Sequence, residues 1–429
     1  MKTPLEQWIA ERTRLDPLTR ETLARYQLER LRQTVSWARR NSSVYAQRLE
    51  STAEEDIQTL ADVRRLPFTS AQDLRENPAG FVCVSHSEIS RIISLITSGT
   101  TGAAKRVYFT AQEQEDAIDF FQHALAVFAG SDDRILIVLP GERTGSAGDL
   151  LATAVRRLGA TPIPYGNVSD PLHAVQVASE TRATSIIGVP SDLLGMSRCN
   201  GPRLHLRSAA LCSDYVPQSV VQALEHAWKC RMFEHYGSTE MGLAGGVNCD
   251  GQCGYHMREA DLYIEIVDPQ TGAPLLDGHT GEVVFTTLTR RGMPLIRYRT
   301  GDISRRLTER CPCGSILPRL ERVQGRVGGS VRLGSREEIS MPQLEERLYT
   351  LPWLMHFTAT IVRARRDRLV IMTRLAASAP ADWEYILRDA LLGVPPISRT
   401  VHAGELQIVG CRGTAQTPAG EKRRIQCPA

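Results

Sequence analysis

Apolar residues recur at roughly helical spacing along residues 19–40, where Leu23, Tyr26, Leu28, Leu31, Val35 and Trp37 stand among Arg, Glu and Gln. The pattern predicts an amphipathic surface helix whose arginines form a solvated face. Farther on, the pattern changes to short, nearly unbroken apolar runs. Residues 134–139, 185–189 and 208–212 read as buried strands and 161–164 as a weaker one, with helical stretches at 147–158 and 217–229. Pro217 is suited to the first turn of the second of these helices. Strands alternating with helices predict right-handed crossovers and a mostly parallel sheet covered on both faces, with ligands at the carboxyl ends of the strands. After about Gly325 the character changes again. Runs at 356–364 and 368–376 around Arg365-Arg366-Asp367 predict a hairpin, flanked by helices at 343–349 and 382–392. The expected fold class is α/β, a large N-terminal domain of layered, mostly parallel sheets and helices followed by a small α+β domain.

Composition narrows the function classes. A chain of 429 residues is too long for one core, which agrees with two domains. Lys and Arg number 51 against 48 Asp and Glu, a net +3, so no global field of the kind a nucleic-acid binder needs is present. No run reaches the ~18 apolar residues of a membrane span, and residues 1–14 alternate charged and apolar types without the apolar core of a signal peptide. The expectation is a cytoplasmic enzyme with neither nucleic acid nor membrane as partner. A homodimer is compatible with this organisation. The ten cysteines, without an export signal, read as thiols and not as a disulfide framework. Four of them, Cys249, Cys253, Cys311 and Cys313, fall in one segment.

The densest chemistry lies in Ile92-Ile-Ser-Leu-Ile-Thr-Ser-Gly-Thr-Thr-Gly-Ala-Ala-Lys-Arg-Val107. A β-like run enters a hydroxyl-rich loop, Thr97, Ser98, Gly99, Thr100, Thr101 and Gly102, with Lys105 three residues beyond. Backbone N–H groups exposed at glycines, clustered hydroxyls and an ammonium can hold a polyphosphate. No Gly-Lys-Ser/Thr closes the loop, so it is not a P-loop; the competing reading of the loop by itself is a flexible Ser/Gly/Thr turn.

Further motifs decide between these. The 97–105 loop resembles the signature loop of the adenylate-forming superfamily, which contains acyl-coenzyme A synthetases, nonribosomal adenylation domains and luciferases. Glu234-His-Tyr-Gly-Ser-Thr-Glu240 resembles its Tyr-Gly-x-Thr-Glu motif and Arg297-Tyr-Arg-Thr-Gly-Asp302 its Tyr-x-Thr-Gly-Asp motif. Gly325-Arg326 resembles its domain hinge, and Gly420-Glu-Lys-Arg-Arg424 the loop that carries a catalytic lysine. Within the superfamily, Leu66-Pro-Phe-Thr-Ser70 and Met293-Pro-Leu-Ile-Arg-Tyr-Arg-Thr-Gly-Asp302 are similar to the phenylacetate–coenzyme A ligase branch.

The resemblance implies activation of a small aryl or aliphatic acid by ATP as an acyl-adenylate, then transfer to the thiol of coenzyme A. It implies a domain at 1–324, a hinge at 325–330 and a mobile domain at 331–429. It places residues 97–102 and Lys105 around the β- and γ-phosphates, Tyr236 against adenine and Thr239 at the α-phosphate. Gly237, Ser238, Ser213, Asp214 and Arg326 complete the nucleotide contacts. Glu240 would hold Mg²⁺, a hard cation that prefers oxygen ligands. Asp302 would accept from the two ribose hydroxyls, and Lys422 would bridge the carboxylate and the charge developing at phosphorus. Two departures stand out. Val327-Gly328-Gly329 replaces the aspartates that usually follow the hinge Gly-Arg, and Cys212-Ser213-Asp214 stands where the family often has Gly-Ala-Glu or Gly-Gly-Glu.

Cys249, His256, Cys311 and Cys313 offer three thiolates and one imidazole, a donor set for a tetrahedral, structural Zn²⁺ with no open position. The same branch often carries such a site, and Cys253 is an alternative to Cys249. Alternatives to the coenzyme A ligase remain at this point. They are adenylation with a carrier-protein, amine or other acceptor, a non-catalytic zinc-stabilised nucleotide binder, and, more remote, a zinc-ribbon nucleic-acid binder.

Overall fold

The computed structural model describes residues 3–52, 54–95, 104–415 and 422–428. The chain forms two compact units and passes repeatedly between them. The first comprises Met1–Gly130, Thr153–Gly159 and His235–Val323; the second comprises Ser131–Ala152, Ala160–Glu234 and Gln324–Ala429. Among the described residues, no helix is long and apolar enough to cross a membrane.

In the first unit the predicted amphipathic helix runs Arg20–Asn41. It starts on a reciprocal cap, in which the Thr19 hydroxyl accepts from Thr22 N–H (3.1 Å) and the Thr22 hydroxyl from Thr19 N–H (2.9 Å). Leu23, Gln27, Leu31, Thr34, Val35 and Ala38 are its buried face. Leu31, Val35 and Ala38 share a core with Leu262, Ile264, Val283, Phe285 and Tyr298 of three antiparallel strands, Leu262–Val267, Gly281–Thr287 and Tyr298–Ser304. An unpredicted helix, Pro4–Thr13, buries Trp8, whose indole N–H donates to Asp119 (2.7 Å) on the helix Ala111–Leu125. Strands Ile89–Leu95 and Lys105–Thr110 pair antiparallel, Leu95 opposite Lys105.

The second unit holds the predicted parallel strands in the order Thr161–Pro164, Arg134–Val138, Ser185–Gly188, Ser208–Leu211 and the start of Arg231–Tyr236. Every residue of Ser185–Gly188 and Ser208–Leu211 is buried, which explains why their sequence is apolar and small without alternation. The helix expected at 217–229 spans Gln218–Trp228, and Pro217 caps it from outside the first turn with ψ 136. The hairpin is Leu354–Val362 with Asp367–Leu375; Leu406–Arg412 and Ile425–Gln426 add to its two edges in parallel. Leu136, Leu193, Leu211 and Leu224 from the middle of the chain share one core with Leu344, Leu354, Phe357 and Ile371 from its C-terminal part.

Candidate functional site

Glu240 and Lys105 meet although 135 residues separate them. Lys105 opens the second strand of the 89–110 hairpin, and Glu240 lies just beyond the strand Arg231–Tyr236. The Lys105 ammonium contacts Glu240 Oε1, the Tyr298 hydroxyl donates to the same oxygen at 2.9 Å, and Lys105 Nζ lies 3.4 Å from that hydroxyl. Both charged side chains are largely buried. Burial would raise the Glu240 pKa, but the Lys105 ammonium and the Tyr298 hydroxyl hold it below the ordinary carboxylate value. The carboxylate stays ionised, the state that a hard cation requires.

Tyr236 and Asp302 form the second contact. The phenol donates to Asp302 Oδ2 at 3.0 Å, and its ring stacks on Tyr255 at 5.7 Å between centroids. Asp302 is buried on the strand Tyr298–Ser304, and its N–H donates to the Thr300 hydroxyl at 2.9 Å. Gly237 follows Tyr236 where a Cβ would sit 2.8 Å from Gly245 N, so this close turn excludes a side chain. Ser238 and Thr239 are half-buried in that turn and accept main-chain N–H groups of Met241 and Gly242 at 3.1 Å each. Thr97, Ser98, Gly99, Thr100, Thr101 and Gly102 lie outside the described residues, between the paired Leu95 and Lys105.

The donor atoms of Cys249, His256, Cys311 and Cys313 all lie within 4.8 Å of one another. Cys249 Sγ is 3.4 Å from Cys311 Sγ, and Cys313 Sγ is 3.4 Å from His256 Nε2. His256 Nδ1 lies 3.2 Å from the Leu317 carbonyl, which fixes the proton there and turns the Nε2 lone pair toward the sulfurs. Burial lowers the imidazole pKa to about 4, keeping it neutral. Cys253 is not in the quartet; its sulfur faces Arg319 Nη1 at 2.6 Å. Spacings near 3.4 Å are those of ligands around one tetrahedral ion with bonds of about 2.0–2.3 Å, so the residues fit zinc.

The second unit carries the remaining expected residues. Ser213 is exposed with φ 72, in the left-handed region that favours glycine. Asp214 accepts from the N–H groups of Tyr215 (2.9 Å) and Arg423 (3.2 Å). Burial raises the Asp214 pKa, opposed by the nearby Lys422 ammonium. Lys422 is exposed, and so is Arg326. Arg423, which the sequence presents as part of a charge run with Lys422 and Arg424, has a buried side chain. Its guanidinium pairs with Glu345, meets His356 Nε2 at 2.7 Å and lies over the rings of Phe357 (4.6 Å) and Tyr349 (5.4 Å). Sequence analysis missed Arg423 and Tyr298. For Arg423 the neighbouring strand residue Ile425 was the available signal, because alternation around it breaks the solvated run.

A family model described as AMP-binding enzyme matches residues 16–288. A phenylacetate-coenzyme A ligase of Escherichia coli (strain K12) is 29% identical over 334 residues, 73% of this chain and 74% of that one. One from Thermus thermophilus is 28% identical over 361 residues, 81% of this chain and 80% of that one. The fold is similar to a crystal structure of 2-hydroxyisobutyryl-CoA ligase in the postadenylation state, with TM-score 0.80 at 18% identity over 96% of this chain and 90% of that one.

Proposed function

The chain belongs to the AMP-binding enzyme family, and from that premise we propose that it is an AMP-forming acid–coenzyme A ligase. In the first half-reaction a carboxylate oxygen attacks the α-phosphorus of ATP, and the bond to pyrophosphate breaks. In the second, the thiol sulfur of coenzyme A attacks the acyl carbonyl, loses its proton and displaces AMP. The observation that carries this reading is the largely buried Lys105–Glu240–Tyr298 group at the end of the 89–110 hairpin where Leu95 pairs with Lys105. It supplies a cation for phosphate oxygens and an ionised carboxylate for Mg²⁺ in one place.

The other assignments belong to the same proposal. Residues 97–102 hold phosphates, Thr239 meets the α-phosphate, Tyr236 stacks on adenine and Asp302 accepts from ribose. Ser213, Asp214, Gly237, Ser238 and Arg326 complete the nucleotide contacts, and Lys422 neutralises charge between carboxylate and phosphorus. Residues 325–330 form the hinge of a mobile 331–429 domain, whose rotation would have to part the core that Leu344, Leu354 and Phe357 share with Leu136 and Leu193; Gly328, at φ 66, takes this conformation without side-chain strain. Cys249, His256, Cys311 and Cys313 hold a structural Zn²⁺. The relatives named for phenylacetate support a small aryl or aliphatic acid as substrate; a cytoplasmic setting is part of the same proposal.

The test is pyrophosphate exchange with a panel of carboxylic acids, phenylacetate first, with and without coenzyme A. Exchange that depends on one acid, and acyl-coenzyme A formation when the thiol is added, is the expected result. Exchange with no thioester product would replace the acceptor. Metal analysis of freshly purified protein should find about one equivalent of zinc, lost in Cys311→Ser together with thermal stability; its absence in the wild type rejects the zinc assignment.

A further inference from the structure

We propose that Arg423 is a positioning residue for Lys422, anchoring the 422–428 segment so that the neighbouring ammonium is held beside Asp214. The inference rests on the acid-activating role given to Lys422 above and adds to it a means of presentation. A lysine on a four-carbon stem contributes little in a transition state unless its backbone is fixed. Here the fixing is done one and three residues away. The Arg423 main-chain N–H donates to Asp214 at 3.2 Å, and Ile425 pairs with Ala359 in the strand ladder.

The side chain of Arg423 is held harder still. Its contact with Glu345 leaves the two side chains only 4% and 3% exposed, and the remaining faces meet His356, Phe357 and Tyr349. Stability alone does not account for such a residue. A buried ion pair is often no better than well-packed apolar side chains of similar volume, and Nη2 of this guanidinium is buried without a hydrogen-bond partner. An apolar residue would fill the space between the Phe357 and Tyr349 rings, but would slide. Contacts in fixed directions to Glu345 and His356 set the register of the segment.

The test uses the full-length protein and the acid that supports exchange best. Arg423→Met should lower pyrophosphate exchange about 10²-fold, the order seen when one transition-state donor is lost, with KM for ATP changed by no more than about twofold. Transfer of supplied acyl-AMP to coenzyme A should persist. In a Lys422→Ala background the same substitution should cost less than about twofold more, because residues that act through one another are not additive. The pair Arg423→Met with Glu345→Met leaves no buried charge from this pair unmatched and gives the same readouts where the single variant unfolds. Full additivity with Lys422→Ala, or equal loss of both half-reactions, overturns the positioning role. Lys422→Ala exchanging at the wild-type rate would instead remove the lysine assignment itself, a separate failure.

Discussion

Glu240 with Lys105 in the first unit and Glu345 with Arg423 in the second are both buried carboxylate–cation pairs, and the two behave oppositely. Glu240 of the first unit is held below the ordinary carboxylate pKa, whereas Glu345 of the second is pushed up to about 7. Burial raises both. The difference lies in the neighbours. Glu240 has Lys105 and the Tyr298 hydroxyl, both favouring the ionised form. Glu345 shares Arg423 with Asp214 and stands beside Glu346, and those carboxylates push it back toward the protonated form. Burial of an ion pair thus does not decide whether its acid is available to a metal ion; the charges around it do. In the function and the inference proposed above, the first pair takes a divalent cation and the second holds a chain segment.

The strongest way to break this comparison is Lys105→Met. It leaves Glu240 buried with a hydroxyl but without its ammonium, which costs about 3–5 kcal/mol when a buried pair is broken. It should also reduce pyrophosphate exchange by roughly 10²–10³-fold. Exchange at the wild-type rate would dissociate the pair from the phosphate chemistry. Asp302→Ala comes next: loss of a charged acceptor worth about 1.5–3 kcal/mol per bond should weaken ATP binding roughly ten- to a hundredfold. Titration calorimetry with unchanged affinity would reject the ribose contact.

The smallest effect sharpens the comparison through pH. Because the folded pKa of Glu345 lies above its ordinary value of 4.5, the folded state holds a proton that the unfolded state has lost between about 4.5 and about 7. Its contribution to stability is therefore complete below about 4.5 and is lost as pH rises through about 7. Glu345→Gln should flatten that decline in urea unfolding. Glu240 has the opposite sign: its contribution is present above 4.5 and is lost as pH falls through its lowered folded pKa. Parallel slopes for Glu345→Gln and the wild type would remove the contrast.

The parallel strands and the C-terminal hairpin were legible because their apolar runs are buried, and their observed ends shift by only one or two residues. The antiparallel strands of the first unit were not. Glu265 and Glu282 interrupt them with charge, and both are buried against Arg297 and Arg299, partners that no local pattern reveals. The helix Pro4–Thr13 was obscured in the same way by its alternating charges. Motif residues such as Glu240 and Asp302 could be named from order along the chain, but their contacts with Lys105 and Tyr236 depend on tertiary approach. Arg423 was hidden most completely, since a run of three basic residues reads as solvent-facing by composition alone.

The interleaving of the two units in sequence bears on how the protein is made. A chain emerging N-terminus first has completed neither unit when residue 234 appears, because the first awaits 235–323 and the second awaits 324–429. The first unit can close once Val323 has been synthesised. The parallel strands, made earlier, must wait with Leu136, Leu193 and Leu224 uncovered until Leu344, Leu354 and Phe357 arrive to share their core. Exposed apolar surface of that kind invites aggregation. A chain cut short after Val323 would therefore contain every residue of the first unit yet carry an unfinished apolar face, and should aggregate where the full chain does not.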